Sequence, residues 1–310
     1  MGTQHDASPK PFYGYLLHLG LNMWADHVLE PRQGHMTWKC TRGDPKMIDY
    51  YKQVGARDYL RCDRRLWHTL VEDMAAAGIN LVVVDLAEGV QYESHPELAV
   101  KGSWTHTQVR ESLDHMRSLG IEPVPKLNFS AGHDVWLGEY SHMVSTERYY
   151  RVCSELIAEV CALFDRPRFF HIGMDEENAQ MQQRNHMVIY RQGELWWHDL
   201  EWFAGQVRQH GVRPMMWSDM WWQREQEFSE RCPEDVVQCN WYYSDMSRPD
   251  DRFLGLFEQI DRAGFDQVPT GSSFFVCNNM ELVARKARQV IHPDRLLGLL
   301  QAPWLPTDER

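Results

Sequence analysis

The run His171-Ile172-Gly173-Met174-Asp175-Glu176-Glu177 follows directly on Phe169-Phe170. It reads as a buried strand that stops in an acidic cluster. Carboxylates gathered where a strand gives way to a loop repel one another and lose hydration, so they cost stability. Paired carboxylates are also the usual equipment for splitting glycosidic bonds. The competing reading is a helix start, whose dipole favours acids in its first turn, but the stretch that follows reads as loop. Glu177 is expected to point away from the pair or to cap a turn.

The elements that position this run come from the hydrophobic pattern. Tyr13 to Leu21 reads as a first strand. A helix is predicted from about Asp58 to Ala77, with Leu60, Leu66, Trp67, Leu70, Val71 and Met74 at near-helical spacing. Ile79 to Leu86 is almost uninterruptedly apolar, the mark of a parallel strand covered on both faces. Alternation then continues through helices at Thr105–Leu119 and Thr146–Phe164, and strands at Ile121–Phe129 and Phe169–Met174. Further helices are expected at Glu194–His210, Gln223–Arg231, Phe253–Ala263 and Asn279–Gln289. The matching strands are Arg213–Trp217, Val236–Trp241, Phe265–Thr270 and Leu296–Ala302.

Eight strands alternating with seven helices point to a single (β/α)8 TIM barrel of the α/β class. No GxGxxG follows the first strand, which weakens a doubly wound dinucleotide fold. The expected organisation is a tail over 1–12 and a barrel over 13–310 with a long insertion at about 22–56. An eighth, closing helix is not found, so the chain is trimmed or another segment covers that gap.

Composition narrows the partners. Lys and Arg number 32 against 44 Asp and Glu, a formal charge of −12, which argues against nucleic acid. No apolar run reaches the ~20 residues that cross a membrane. Met1 to Lys10 is polar and lacks a secretory core, so a cytoplasmic location is expected. The seven cysteines form no CxxC pair and read as reduced, mostly buried thiols. Oligomeric state, a homo-oligomer included, stays open.

In a barrel the active site gathers at the C-terminal strand ends. Those ends hold Asn22, Trp24, Asp26 and His27, then Asp85 and Glu88, then Asn128, Ser130 and His133. After Asp175 and Glu176 come Trp217, Asp219, Trp221 and Trp222, then Asn240, Trp241, Tyr242, Tyr243 and Asp245. Thr270, Ser272, Gln301, Trp304 and Thr307 complete the set. Acids, amides and aromatic rings are the groups that bind hydroxyls and stack on sugar faces, and the set holds no lysine or arginine to favour phosphate. Trp217, Trp241 and Trp304 sit where a ring either lines a pocket or packs in the core. Trp196, Trp197 and Trp202 fall on a predicted helix and read as core. His18, His133 and His171 could converge on a metal, but no HExxH-like spacing supports one, and neither metal nor cofactor is expected.

Three segments sharpen the reading: Tyr92-Glu93-Ser94-His95-Pro96-Glu97-Leu98, Gly102-Ser103-Trp104-Thr105, and Gly120 through His133 with Lys126-Leu127-Asn128-Phe129-Ser130-Ala131-Gly132-His133 at its end. With His171 to Glu176 they resemble the catalytic barrel of glycoside hydrolase family 20, the β-N-acetylhexosaminidases, from roughly Gly78 to Glu177. Weaker echoes follow at Met216-Trp217-Ser218-Asp219, Cys239-Asn240-Trp241 and Leu297 to Trp304. The resemblance implies a retaining exo-glycosidase that removes terminal β-linked N-acetylhexosamine with the substrate's own acetamido group as nucleophile. It implies Glu176 as acid and base, and Asp175 as the carboxylate that orients and stabilises the acetamido group. It also implies His133 beside the acid, Trp217, Trp241 and Trp304 as pocket walls, and Tyr243 as the hydroxyl on the acetamido oxygen. Asn128 and Asp219 complete the implied substrate site.

The chain departs from that pattern at four places. Leu21-Asn22-Met23-Trp24 stands where the family has a sugar-gripping arginine, and Asn128 replaces an acid. Ala131 replaces a proline, and Trp304-Leu305-Pro306 replaces Trp-x-Glu. Two alternatives follow: a glycosidase for a different sugar, or a carbohydrate-binding barrel without catalysis. A nucleophile on the seventh strand finds no acid in Val268-Pro269-Thr270-Gly271-Ser272.

Overall fold

The computed structural model describes residues 11–29, 37–39, 47–49, 54–244, 252–273 and 276–308. In chain order its strands are β1 (Phe12–His18), β2 (Thr37–Lys39), β3 (Met47–Asp49), β4 (Leu81–Asp85) and β5 (Glu122–Lys126). They continue with β6 (Phe169–His171), β7 (Arg213–Trp217), β8 (Val237–Cys239), β9 (Thr270–Gly271) and β10 (Gly298–Gln301). The α-helices are α1 (Arg64–Ala76), α2 (His106–Ser118), α3 (Glu147–Leu163), α4 (Glu194–Gln209), α5 (Glu225–Arg231), α6 (Arg252–Arg262) and α7 (Asn279–Val290).

Eight strands hydrogen-bond in the order β8-β7-β6-β5-β4-β1-β10-β9. Their pairings are parallel, as in β1 with β4 and β7 with β8. Isolated parallel bridges Gln238↔Gln267 and Trp241↔Thr270 join the two ends of that order and close the ring. This is the (β/α)8 barrel, with helices alternating around it. β2 and β3 form a separate antiparallel pair inside the 22–56 stretch, most of which lies outside the described residues. Leu16, Leu81, Val83, Val124, Met215, Val237 and Leu300 pack together inside the barrel. A second, larger layer joins the outer strand faces to the helices, through residues such as Trp67, Leu113, Leu156, Trp196 and Phe203.

The differences from the sequence pattern have local causes. The predicted helix at Asp58 starts at α1 instead, because Asp63 caps it: its carboxylate accepts the Leu66 amide at 2.8 Å. The stretch before Asp63 is tied to other loops by the bridges Tyr59↔Lys101 and Cys62↔Thr307. β9 is shorter than the predicted Phe265–Thr270, since Pro269 has no N–H to give a ladder. β5 carries two prolines yet sits inside the sheet. Leu127 and Phe129, at odd positions, donate to His171 O and Ile172 O across the β6 side. Pro123 and Pro125 share that parity and have nothing to donate, so β5 and β6 register at only one pair, Lys126↔His171. The pairing therefore gathers at the C-terminal end of the two strands, directly under the acidic run. β1 begins at Phe12, so the expected tail yields one residue to the barrel. The six described cysteines are free thiols.

Candidate active site

The acidic run sits where expected, at the C-terminal end of β6. Three residues there take positive φ: Gly173 at 75°, Met174 at 72° and Glu176 at 49°. Left-handed backbone at non-glycine residues costs energy and persists only where the surroundings enforce it. The enforcing bonds come from neighbouring strand ends. Gly173 O accepts from Trp217 N at 2.9 Å, and Met174 N donates to Asn128 Oδ1 at 3.3 Å. Glu176 N donates to Asp219 Oδ2 at 2.8 Å. The Ser130 hydroxyl donates to Asp175 O. Gly173 is required twice: its φ is left-handed, and a Cβ there would stand 1.9 Å from Asn128 Oδ1.

These bonds set the two acids around one imidazole. His133 Nε2 stands 3.3 Å from both Asp175 Oδ2 and Glu176 Oε2. The Asn128 amide donates to Asp175 Oδ1 at 2.8 Å. Asp175 and His133 are buried, while the Glu176 side chain stays about one-third exposed. Burial alone would neutralise Asp175, but the His133 charge and hydrogen bond outweigh it, with help from Lys126 and Asn128. The Asp175 carboxyl is therefore held below the usual carboxylate range. Burial likewise works against a charged His133, yet Asp175 and Glu176 lift its pKa to about 10. Asp219 goes the other way: burial, then the neighbouring Asp175 and Glu176 carboxyl groups, push its carboxyl well above the ordinary range. Its Oδ1 has no partner among the described residues.

Aromatic rings surround this group. Trp304 crosses Trp24 at 6.3 Å and Trp217 at 5.8 Å, both edge to face. Trp24 meets His133 edge-on at 6.2 Å. Trp241 stacks on Tyr243 at 5.0 Å and is met by Trp222 at 4.4 Å. Trp304 Nε1 donates to the Tyr243 hydroxyl at 3.0 Å. Trp24, Trp241, Tyr243 and Trp304 are partly exposed, as pocket walls must be. Trp217 is fully buried against His171, which makes it floor, and its Nε1 has no partner among the described residues.

Other placements differ from the sequence pattern or refine it. Glu177 does turn away from the pair, but it caps no turn: it accepts from Arg191 Nε and Nη2 at 2.7 Å and from the Arg191 and Ala131 amides. The strand ends also do hold a lysine. Lys126 is wholly buried beneath the acids, 2.5 Å from Asp85, with His18 at 3.3 Å from the same carboxylate oxygen. Of the three histidines considered for a metal, His133 stands with the acids, while His18 and His171 lie buried at the ends of β1 and β6. Trp24 and Trp222 join the aromatic group although the resemblance did not single them out; their position just past a strand end was the available signal. Asp245 lies outside the described residues.

No protein-family model matches the chain, and no curated protein matches it in sequence. Solved structures match it in fold. A chitobiase from Flavobacterium johnsoniae matches with a TM-score of 0.57 and 18% identity, over 78% of this chain and 42% of that one. A glycoside hydrolase family 20 exo-β-N-acetylglucosaminidase from Vibrio harveyi, in complex with N-acetylglucosamine, gives 0.57 and 15% over 95% and 50%. A β-N-acetylhexosaminidase from Bacteroides fragilis gives 0.61 and 13% over 94% and 60%. The chain spans about half the length of the solved structures it matches. At such identities the likeness establishes a shared barrel fold.

Proposed function

We propose that this chain is a retaining glycoside hydrolase that removes terminal β-linked N-acetylhexosamine by substrate-assisted catalysis. The observation that carries the proposal is the Asp175–His133–Glu176 group at the end of the fourth barrel strand, inside an aromatic enclosure. The three matched structures named above are themselves a chitobiase, an exo-β-N-acetylglucosaminidase and a β-N-acetylhexosaminidase, which supports the same reading.

Each residue then has a task. Glu176, the more exposed acid, donates its proton to the departing glycosidic oxygen. The acetamido carbonyl oxygen of the substrate bonds to the anomeric carbon as that C–O bond breaks, giving an oxazolinium ion. Asp175, kept anionic, stabilises the positive charge that develops on the acetamido group. Water then attacks the anomeric carbon, gives a proton to Glu176 and reopens the ring. Two inversions make net retention. Tyr243 offers its hydroxyl to the acetamido oxygen, and Trp241 and Trp304 enclose the sugar.

Asn22 does not stand in for the family's arginine. Its side chain bonds the Arg57 backbone at 2.8 and 2.9 Å and Arg61 Nη2 at 3.0 Å. Grip on the sugar hydroxyls must therefore come from elsewhere, so the reaction type is better supported than the identity of the hexosamine. Glu176→Gln should lower kcat on an aryl N-acetylglucosaminide by about 10²–10⁴-fold with the fold intact, and Asp175→Asn should lose activity as well. Near-normal turnover by Glu176→Gln would overturn the assignment. Sugar binding by the unaltered chain without turnover would favour the non-catalytic alternative.

A further inference from the structure

Asp26, His27 and His186 form a second converging group that shares no residue with the acid site. Asp26 and His27 follow β1, and His186 lies in the loop between β6 and α4. Although 160 positions apart, they meet closely. His27 Nδ1 stands 2.8 Å and His186 Nδ1 3.0 Å from the same oxygen, Asp26 Oδ1. The His186 amide donates to Asp26 Oδ2 at 2.9 Å, so the His186 side of the contact is fixed by more than its ring. One donor atom from each of the three residues lies within 4.8 Å of the others. The two imidazoles stand 4.6 Å apart, centroid to centroid.

Two imidazole nitrogens and one carboxylate oxygen are the ligand types a zinc-class cation takes, and neutral imidazole is the form that binds it. Donors around a tetrahedral zinc with ~2.0–2.1 Å bonds stand about 3.3 Å from each other. The distances from Asp26 Oδ1, 2.8 and 3.0 Å, fall short of that by about half an ångström or less, so small side-chain shifts suffice. Two histidines packed ring to ring would repel if both were charged, whereas a shared cation uses both in their neutral form. The Asp26 carboxyl is mostly covered, with His27 about one-third and His186 largely exposed, which gives a held anion with an open path to it.

We propose that Asp26, His27 and His186 bind one divalent cation of the zinc class, with water completing its shell. The ion staples the loop after β1 to the loop after β6. Both loops belong to the active-site mouth. Trp24, two residues before Asp26, packs edge-on against His133 and Trp304. The other loop begins at the acids themselves, and Gln182 within it holds Ile189 O and Ala131 O. Cation binding would thus stiffen the wall of the sugar pocket without touching the reacting atoms.

The test is calorimetric titration of Zn2+ into the chelator-treated full chain, with thermal unfolding alongside. One saturable equivalent is expected, with a rise in Tm. His186→Ala removes an exposed side chain; it should keep the metal-free Tm, weaken Zn2+ binding at least about 10-fold and abolish the metal-dependent rise. Asp26→Asn should weaken Zn2+ binding and abolish the metal-dependent rise likewise, on a lower metal-free Tm, because its carboxylate also holds three hydrogen bonds. Asp175→Asn should leave Zn2+ binding in place, which separates this group from His133, Asp175 and Glu176, whose donor atoms also lie within 4.8 Å of one another. Absence of saturable Zn2+ uptake would overturn the proposal. So would uptake that survives both His186→Ala and Asp26→Asn, or uptake removed by Asp175→Asn.

Discussion

His133 is a histidine with one ring nitrogen between two carboxylates, and that arrangement has a signature in pH. Its folded-state pKa is raised to about 10, above the ~6.5 of a free imidazole. Proton binding by the folded state is thus tighter than by the unfolded one. The resulting stabilisation is fully present below about pH 6.5 and is lost as pH rises towards 10. The stability gap between the parent chain and His133→Gln, read from urea unfolding at several pH values, should be widest below about pH 6.5 and shrink steadily towards pH 10. A gap that stays flat across that range would mean the imidazole is not charged between the acids. Asp175, Glu176 and His133 were legible in the sequence, because two short runs carry them and each falls at a strand end. Lys126 was not. A lysine in Glu122–Lys126 reads as the polar end of a strand, and only the ring of strands turns it inward to meet Asp85. Trp24 was legible only as one of several strand-end residues: its position marked it for the opening, but nothing in its neighbours singled it out among thirteen tryptophans as a pocket ring.

At the scale of elements, the loops after β5 and β6 are held together by one buried cation. Arg191 lies just before α4, and its guanidinium reaches back to Glu177, Asp199 and the Phe129 carbonyl. Neither Arg191 nor Glu177 retains any side-chain exposure. Burying such a pair adds little net stability, but removing the Glu177 charge leaves the buried Arg191 guanidinium balanced by Asp199 alone. Glu177→Gln should therefore cost about 1–3 kcal/mol in denaturant unfolding, more than an exposed glutamate would, although Glu177 touches no substrate in the proposed reaction. A loss within ~0.5 kcal/mol, the usual range for surface sites, would show that the pair is not what binds these loops. The sequence made Glu177 look like the spare member of an acidic triplet. Its partner sits 14 positions downstream in an irregular segment, where no periodicity signals contact. Strand ends were hard to place for a related reason. Pro123, Pro125 and Pro269 remove ladder donors singly, and the effect depends on which neighbour each N–H would have faced.

For the whole molecule, alternation of apolar strands and amphipathic helices was enough to indicate a closed barrel, since eight parallel strands at this length have few other ways to bury both faces. What alternation does not carry is the shape of the opening, because the rings and acids there come from loops after six different strands. Ligand binding reports on that opening as a unit. A ligand that binds only the folded state at a hundred times its Kd adds about 2.7 kcal/mol of stability. Unfolding entropy near 2.1 cal/mol/K per residue makes the slope for 310 residues about 0.65 kcal/mol/K, so the expected rise in Tm is about 4 °C. N-acetylglucosamine thiazoline, which carries the fused ring of the oxazolinium state, should produce such a rise when saturating. Glucose at the same concentration should not, because it carries no acetamido group for Asp175 and Tyr243, its proposed partners. In Asp175→Asn the thiazoline shift should shrink markedly, since the ring nitrogen, protonated in the site, loses its fixed anion. Equal shifts from glucose and the thiazoline would mean that the pocket does not read the acetamido group, and substrate assistance would then have no structural basis in this chain.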